Sequence, residues 1–410
     1  MQPETPAVLY TADRLLHTDP VHVVRDGGVL VLGSEIAWAG ELADFDEAVH
    51  GTAVAREDLG DVTLMPGLID AHVHLGFDGG ADPVARMTSE TDVQQAMLML
   101  RSARELLDAG VTTARDLGAR GYLDVAVRQA IDNGTAHGPR LLTAGAPLTV
   151  TGGHCWFMGG EVDDEREARR MVRRHHKMGV DHVKVMSTGG YMTAGSVPWR
   201  AQFTGDQLLV IVDEARRLGK KVAAHCHGIE GIRQALDAGI DTLEHCSFMH
   251  EDGRSELDPD LADAIAASDS YVSPTMNAEV RELMASGEWV SPVGELYRRG
   301  AKIIASTDAG VARTAHGDYA LALEALADAG MPIGEVLVAA TSRAATALGL
   351  GEVTGRLAIG LSADLLAVPG DPTSDLAVLR DPRLVVVRGR EHRPPRASRS
   401  PRPARETVPA

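Results

Sequence analysis

The stretch TLMPGLIDAHVHLG, Thr63–Gly76, is apolar for most of its length and ends in two histidines separated by one residue. Side chains along a strand alternate faces with a period of two, so His72 and His74 project to the same side, where two imidazoles can grip one metal ion. A single His-x-His is a moderate signal. The fold turns on whether the chain repeats the arrangement: a short strand carrying a ligand-type residue at its C-terminal end.

Seven more β-rich runs follow: GVTTARDLG, PRLLTAG, HVKVMS, KVAAHCH, DTLEHCS, SYVSPT and AKIIASTDAG. Between them lie helical patterns such as TDVQQAMLMLRSARELLDAG, DDEREARRMVRRHHKMG and TGDQLLVIVDEARRLGK, several closing on a glycine in the position that favours a left-handed cap. Eight strand–helix units in series predict an α/β fold, a (β/α)8 TIM-like barrel, rather than a doubly wound sheet. The expected barrel runs from residue 62 to 353. The flanks, residues 1–61 and 354–391, read as short strands and turns, each too short for its own core, so both chain ends are expected to form one small β-sandwich domain. Residues 392–410 are rich in Pro, Arg, Ser and Ala without apolar periodicity and are expected to be a disordered tail.

The bulk numbers narrow the partners. A chain of 410 residues with a formal net charge of −18 is a poor match for nucleic acid or an anionic membrane, which would repel it. No run of 18 apolar residues occurs and the N-terminus lacks a secretory pattern, so the expected location is cytoplasmic. The three cysteines, Cys155, Cys226 and Cys246, have no metal-ribbon spacing and read as small core residues rather than a disulfide framework.

In a barrel of this type the chemistry gathers at the C-terminal mouth, where strand ends converge. The fifth strand ends in His225 and His227, the sixth in His245 and the eighth in Asp308, and the fourth carries Lys184 between two valines. A buried ammonium there is costly unless paired or chemically changed. Ten other histidines are scattered along the chain and stay outside the expected site. In the loop after the third strand, His154 is a candidate substrate contact. After the fourth, Tyr191, with Trp199 and Arg200, is a candidate pocket wall. Arg115, ending the second strand, either faces the site or pairs with Asp116.

The segments MPGLIDAHVHL, HVKVMSTGG, AAHCHG, TLEHCSF and ASTDAG, followed by TSRAATALGLGEVTGRLAIGLSADLLAV, resemble the amidohydrolase superfamily, and within it the binuclear-metal group of Xaa-Pro dipeptidases, or prolidases, and related amidases. The resemblance spans roughly residues 60 to 370. It implies two divalent metal ions, with zinc expected and manganese or cobalt as alternatives. His72, His74 and Asp308 would hold the more buried ion, His225 and His245 the outer one, and Lys184, carboxylated by carbon dioxide to a carbamate, would bridge them. It further implies hydrolysis of an amide C–N bond in a small molecule such as a dipeptide or N-acyl amino acid by a metal-bridging hydroxide. Asp308 would handle the proton, and His227 would donate to the developing oxyanion. Carbamate, urea, ester or phosphotriester hydrolysis on the same site is the alternative. A cyclic amidohydrolase or deaminase fits less well, because those branches hold one metal and lack the strand-four lysine, and a non-catalytic relative would have lost ligands. A homo-oligomer is expected, as is a small-molecule substrate.

Overall fold

The structure, a computed structural model, describes residues 7–46 and 54–395. Eight parallel strands form the barrel in two hydrogen-bonded groups. One holds Leu68–Val73, Val111–Asp116 and Arg140–Thr143. The other holds His182–Met186, Lys221–Gly228, Thr242–Met249, Tyr271–Ser273 and Lys302–Ile303. Backbone bonds close the ring at both seams. The amide of Asp181 donates to Thr143 O at 2.8 Å and that of Leu148 to Lys184 O at 2.8 Å; on the other side the Ala71 amide donates to Ala305 O at 3.1 Å and the Asp308 amide to His72 O at 2.9 Å.

The helices that cover the barrel begin where the sequence marks them. Thr91 and Thr204 each form a reciprocal capping box with the glutamine three residues on, opening Asp92–Asp108 and Gly205–Arg217. Asp164 caps Glu165–Met178, which ends at Gly179 with φ of 86°. The main core packs strand residues Val183, Val185, Val222 and Leu243 against helical Leu106, Leu208, Ile211 and Ile232, with Cys226 and Cys246 buried among them. The three cysteines are free and buried.

A second, mixed sheet of eight strands is built from both chain ends. Val62–Pro66 runs antiparallel to Leu365–Pro369 and parallel to part of Ala7–Thr18, and Leu384–Val387 and Arg390–His392 complete one edge. This small β-sandwich encloses its own cluster of Tyr10, Leu15, Val29, Leu64, Leu365 and Val386. One sequence expectation changes here. The continuous run Thr63–Gly76 is two strands, and only Leu68–Val73 belongs to the barrel; the chain passes from sandwich to barrel at Gly67. A Cβ at Gly67 would lie 2.2 Å from the Thr112 side chain, so only glycine allows the first two barrel strands to close up there. The C-terminal strand also reaches His392, one residue into the segment expected as tail; the rest of that tail from residue 396 lies outside the described residues.

Below the site, Asp70 ties the first strand to the eighth. It accepts from the Thr307 hydroxyl at 2.6 Å and from the His72 and Thr307 amides, both at 3.2 Å. Burial pushes its carboxyl up to about 7, against these bonds. Among the described residues no helix is long and apolar enough to cross a membrane.

Candidate metal centre

Five strand ends deliver His72, His74, Lys184, His225, His245 and Asp308 to one cavity of about 300 Å3, which His154, Tyr191, His227 and Glu279 also line. The backbone is bent to bring some of them there. His245, Asp308 and Thr275 have φ of 66°, 65° and 51°, the left-handed region that side chains other than glycine avoid. Strain of this kind persists where surrounding bonds hold it, and it concentrates at functional sites.

The hydrogen bonds fix which imidazole nitrogen is free. His72 Nδ1 lies 2.8 Å from Glu244 Oε2, and Glu244 is an acceptor-only carboxylate. Burial alone would raise that carboxyl, but the Arg115 guanidinium and His72 hold it well below the usual carboxylate range. Nδ1 therefore carries the proton and Nε2 a bare lone pair, which points to within 3.3 Å of His74 Nε2 and 3.2 Å of Asp308 Oδ1. His245 Nδ1 lies 2.8 Å from Thr275 Oγ1, whose own hydrogen goes to Pro274 O, so His245 donates and its Nε2 is free. His225 Nε2 donates to Gly189 O at 3.0 Å, which leaves Nδ1. Two sets of donor atoms converge within 4.8 Å of one another: His72, His245 and Asp308, and His225, His227 and His245.

This arrangement fits cations. Two nitrogens and a carboxylate oxygen face each other with no hydrogen to share between His72 Nε2 and Asp308, and His74 Nδ1, Asp308 Oδ1 and Lys184 Nζ have no hydrogen-bond partner. Burial lowers the Lys184 amine from its ordinary value, and it pushes His225 and His245 well below theirs, which leaves those two imidazoles neutral donors at neutral pH. For Asp308, burial works upward, but His72 and His74 hold it well below the carboxylate range. Imidazole and carboxylate donors suit several divalent ions, zinc among them.

Of the expected substrate contacts, His154 lines the cavity 4.6 Å from the His225 ring, beneath Gly190, where a Cβ would meet His154 Nε2 at 2.4 Å. Burial drops its imidazole to about 3, so it offers a neutral hydrogen bond rather than a charge to a carboxylate. Tyr191 stands at the mouth, 71% exposed, its ring 5.5 Å from that of His227. Burial likewise lowers His227, to about 4, and its Nδ1 lies 2.8 Å from Ser247 Oγ. Cys155 is pushed up to about 12 by burial and is no thiolate nucleophile.

Arg115 is a correction. It does not line the cavity and does not pair with Asp116; buried, it donates to Ala71 O at 2.7 Å, Thr242 Oγ1 at 3.0 Å and Glu244 Oε1 at 2.7 Å. Its role is to hold Glu244, which holds His72. Trp199 and Arg200 are likewise absent from the lining, the Trp199 backbone packing instead against Gly228. Sequence reasoning missed Glu244, Thr275 and Glu279. A charged residue within the apolar run of the sixth strand marked Glu244 by the same logic as Lys184; the other two carry no local signal.

Known proteins resemble the chain over most of its length. The model of the Amidohydrolase family matches residues 63–391. Ochratoxinase of Aspergillus niger is 31% identical over 88% of this chain and 81% of its own, and the crystal structure of A. niger ochratoxinase superposes with a TM-score of 0.82 at 26% identity, covering 98% and 99% of the two chains. The structure of a Xaa-Pro dipeptidase with bound methionine in the active site superposes with a TM-score of 0.84 at 28% identity, over 94% of this chain and all of that one. Imidazolonepropionase of Streptomyces avermitilis is 26% identical over 84% of this chain and 81% of its own.

Proposed function

The chain belongs to the amidohydrolase family, a metal-dependent hydrolase of amide- or ester-type bonds in small molecules, and from that premise we propose that it cleaves an amide C–N bond with a binuclear centre. The observation that carries this reading is the convergence of the free His72 Nε2, His74 Nε2 and Asp308 Oδ1 within 3.3 Å, beside the unpartnered Lys184 Nζ. His72, His74 and Asp308 would hold one ion and His225 and His245 the other, with Lys184 between them as a carbamate. A carbamate is an anion with two oxygens, which suits a pair of cations where an ammonium would be repelled. When bound, such ions supply Lewis acidity and make water a nucleophile near neutral pH.

The chain's own groups do the rest. Asp308, ionised and 18% exposed on its side chain, is placed to accept a proton from the attacking water and return it to the leaving nitrogen. His227, neutral and held by Ser247 on one nitrogen, keeps the other for the carbonyl oxygen as charge develops there. Glu244 and Arg115 are positioning residues that set the His72 tautomer. The likeness to a Xaa-Pro dipeptidase, an enzyme of peptide bonds, favours an amide over a phosphotriester, and Lys184 favours two ions over one. The zinc identity, cytoplasmic location and homo-oligomer belong to the same proposal.

The test is a parallel screen of metal-loaded protein against dipeptides, N-acyl amino acids, aryl carbamates and phosphotriesters. Turnover of one of the amides is expected; hydrolysis confined to phosphotriesters would refute the amide assignment.

A further inference from the structure

The metal cavity opens into a second, larger space. A groove of about 910 Å3 shares Tyr191, His227, His245 and Glu279 with the cavity and continues between the end of the sixth strand and the helix Ala278–Ser286. Five apolar side chains line it: Met249, Val280, Leu283, Trp289 and Val290. Val290 is 80% exposed and Leu283 36%, although large side chains are seldom left open to water side by side without an occupant. Its charges are unbalanced. Glu256, Glu279 and Glu288 line it against a single Arg254, and Arg254 is itself held by Asp252 at 2.7 Å and Glu256 at 3.9 Å. Glu279 has an outside partner, Arg313, at 3.1 Å.

The metal cavity is small by comparison and is walled by Phe77, Met186, Met192 and Val311 around its ligands. Two spaces that meet at His227 and His245 call for a substrate in two parts, with the reacting bond at the junction. We propose that the groove is the second subsite of this centre and takes an uncharged apolar arm of aryl or long alkyl class. The preferred substrates are then bulky hydrophobic amides, and a free carboxylate at the end of that arm is rejected by the groove's carboxylates. The proposal rests on the hydrolase reading above and deepens it.

The experiment uses metal-loaded protein and two amide series: one amine acylated by acetyl or 2-naphthoyl groups, and one acid joined to methylamine or 2-naphthylmethylamine. In one series the naphthyl compound is expected to gain about tenfold or more in kcat/KM, from the apolar area it buries. Leu283→Asp and Val290→Asp should bring the naphthyl-to-methyl ratio toward one. A carboxylate on the far edge of the naphthyl ring should cancel the gain, and Glu288→Gln should restore part of it. Two flat series, or a ratio that survives both aspartate variants, would overturn the proposal. Binding of 2-naphthylacetamide to metal-free protein, read by Trp289 fluorescence, separates the two claims. If no amide is hydrolysed but the probe binds and Leu283→Asp abolishes binding, the hydrolase reading falls and the groove assignment stands; if the probe fails to bind as well, both fall.

Discussion

Replacing Arg115 by methionine tests the link between barrel interior and metal site. The substitution keeps roughly the volume of the side chain and removes three donors: to Ala71 O, to Thr242 Oγ1 and to Glu244. Glu244 has no exposed surface, so its charge is then left with His72 and the Thr242 hydroxyl alone. Removing one partner of a buried ion pair costs about 3–5 kcal/mol, because the other charge stays desolvated. Urea unfolding of metal-stripped Arg115→Met should therefore show a loss of that order at pH 7, with an unchanged m-value. The pH dependence has a definite sign. Arg115 helps hold the Glu244 carboxyl well below its ordinary 4.5, so the stability it contributes is complete above about 4.5 and is lost as pH falls further; the gap between wild type and variant should narrow in acid. Metal affinity should drop about 10- to 100-fold, because Glu244 without its clamp orients His72 less firmly. A loss below about 1 kcal/mol together with unaltered metal affinity would refute the account of how His72 is oriented.

Lys184→Met should leave the metal-free protein as stable as wild type or more so, by about 1–3 kcal/mol, because it removes a buried amine without a partner; added zinc should then raise its Tm less than it raises that of wild type, and an undiminished metal response would contradict the bridging role. Asp308→Asn should lower kcat by about 100-fold or more while circular dichroism stays unchanged, and wild-type turnover in that variant would remove Asp308 from the proton path. His227→Phe should lower kcat about 100-fold with little change in KM, since its contact is to charge that develops only during reaction; a change in KM alone would make it a binding residue. The metal-free protein should lose stability as pH falls from about 6.5 toward 4. His175, buried between the Tyr122 hydroxyl and Ala146 O, sits at about 4 when folded, so only the unfolded chain takes up its proton in that range. His175→Gln should flatten the slope of denaturant midpoint against pH, and an identical slope would contradict the assignment.

Much of the barrel was legible because its signal is local and repeated: strand periodicity of two, caps such as Thr91 and Gly179, and ligand types at strand ends. The split at Gly67 was not, since Val62–Pro66 and Leu68–Val73 are equally apolar and differ only in which strands they meet across the chain. Around the sixth strand, alternation itself fails. His245, Cys246 and Phe248 take left-handed φ values, so neighbouring Glu244 and His245 both serve the site, one from below and one at the rim. Arg115 shows the limit from the other side. A strand-end arginine beside a mouth looks like a substrate contact, and only the partner 129 residues away shows that it points into the barrel. Glu279, Leu283 and Trp289 come from the segment after the seventh strand, where nothing in the local pattern tells a pocket wall from a solvated helix.

The central claim is a two-ion centre that depends on Lys184. Its most direct test is the metal content of wild type and Lys184→Ala after loading with zinc and bicarbonate and removal of free ion. The account predicts about two equivalents per chain in wild type and a clear fall in the variant. A stable wild-type chain that retains no metal, or a variant that still retains two, would contradict it.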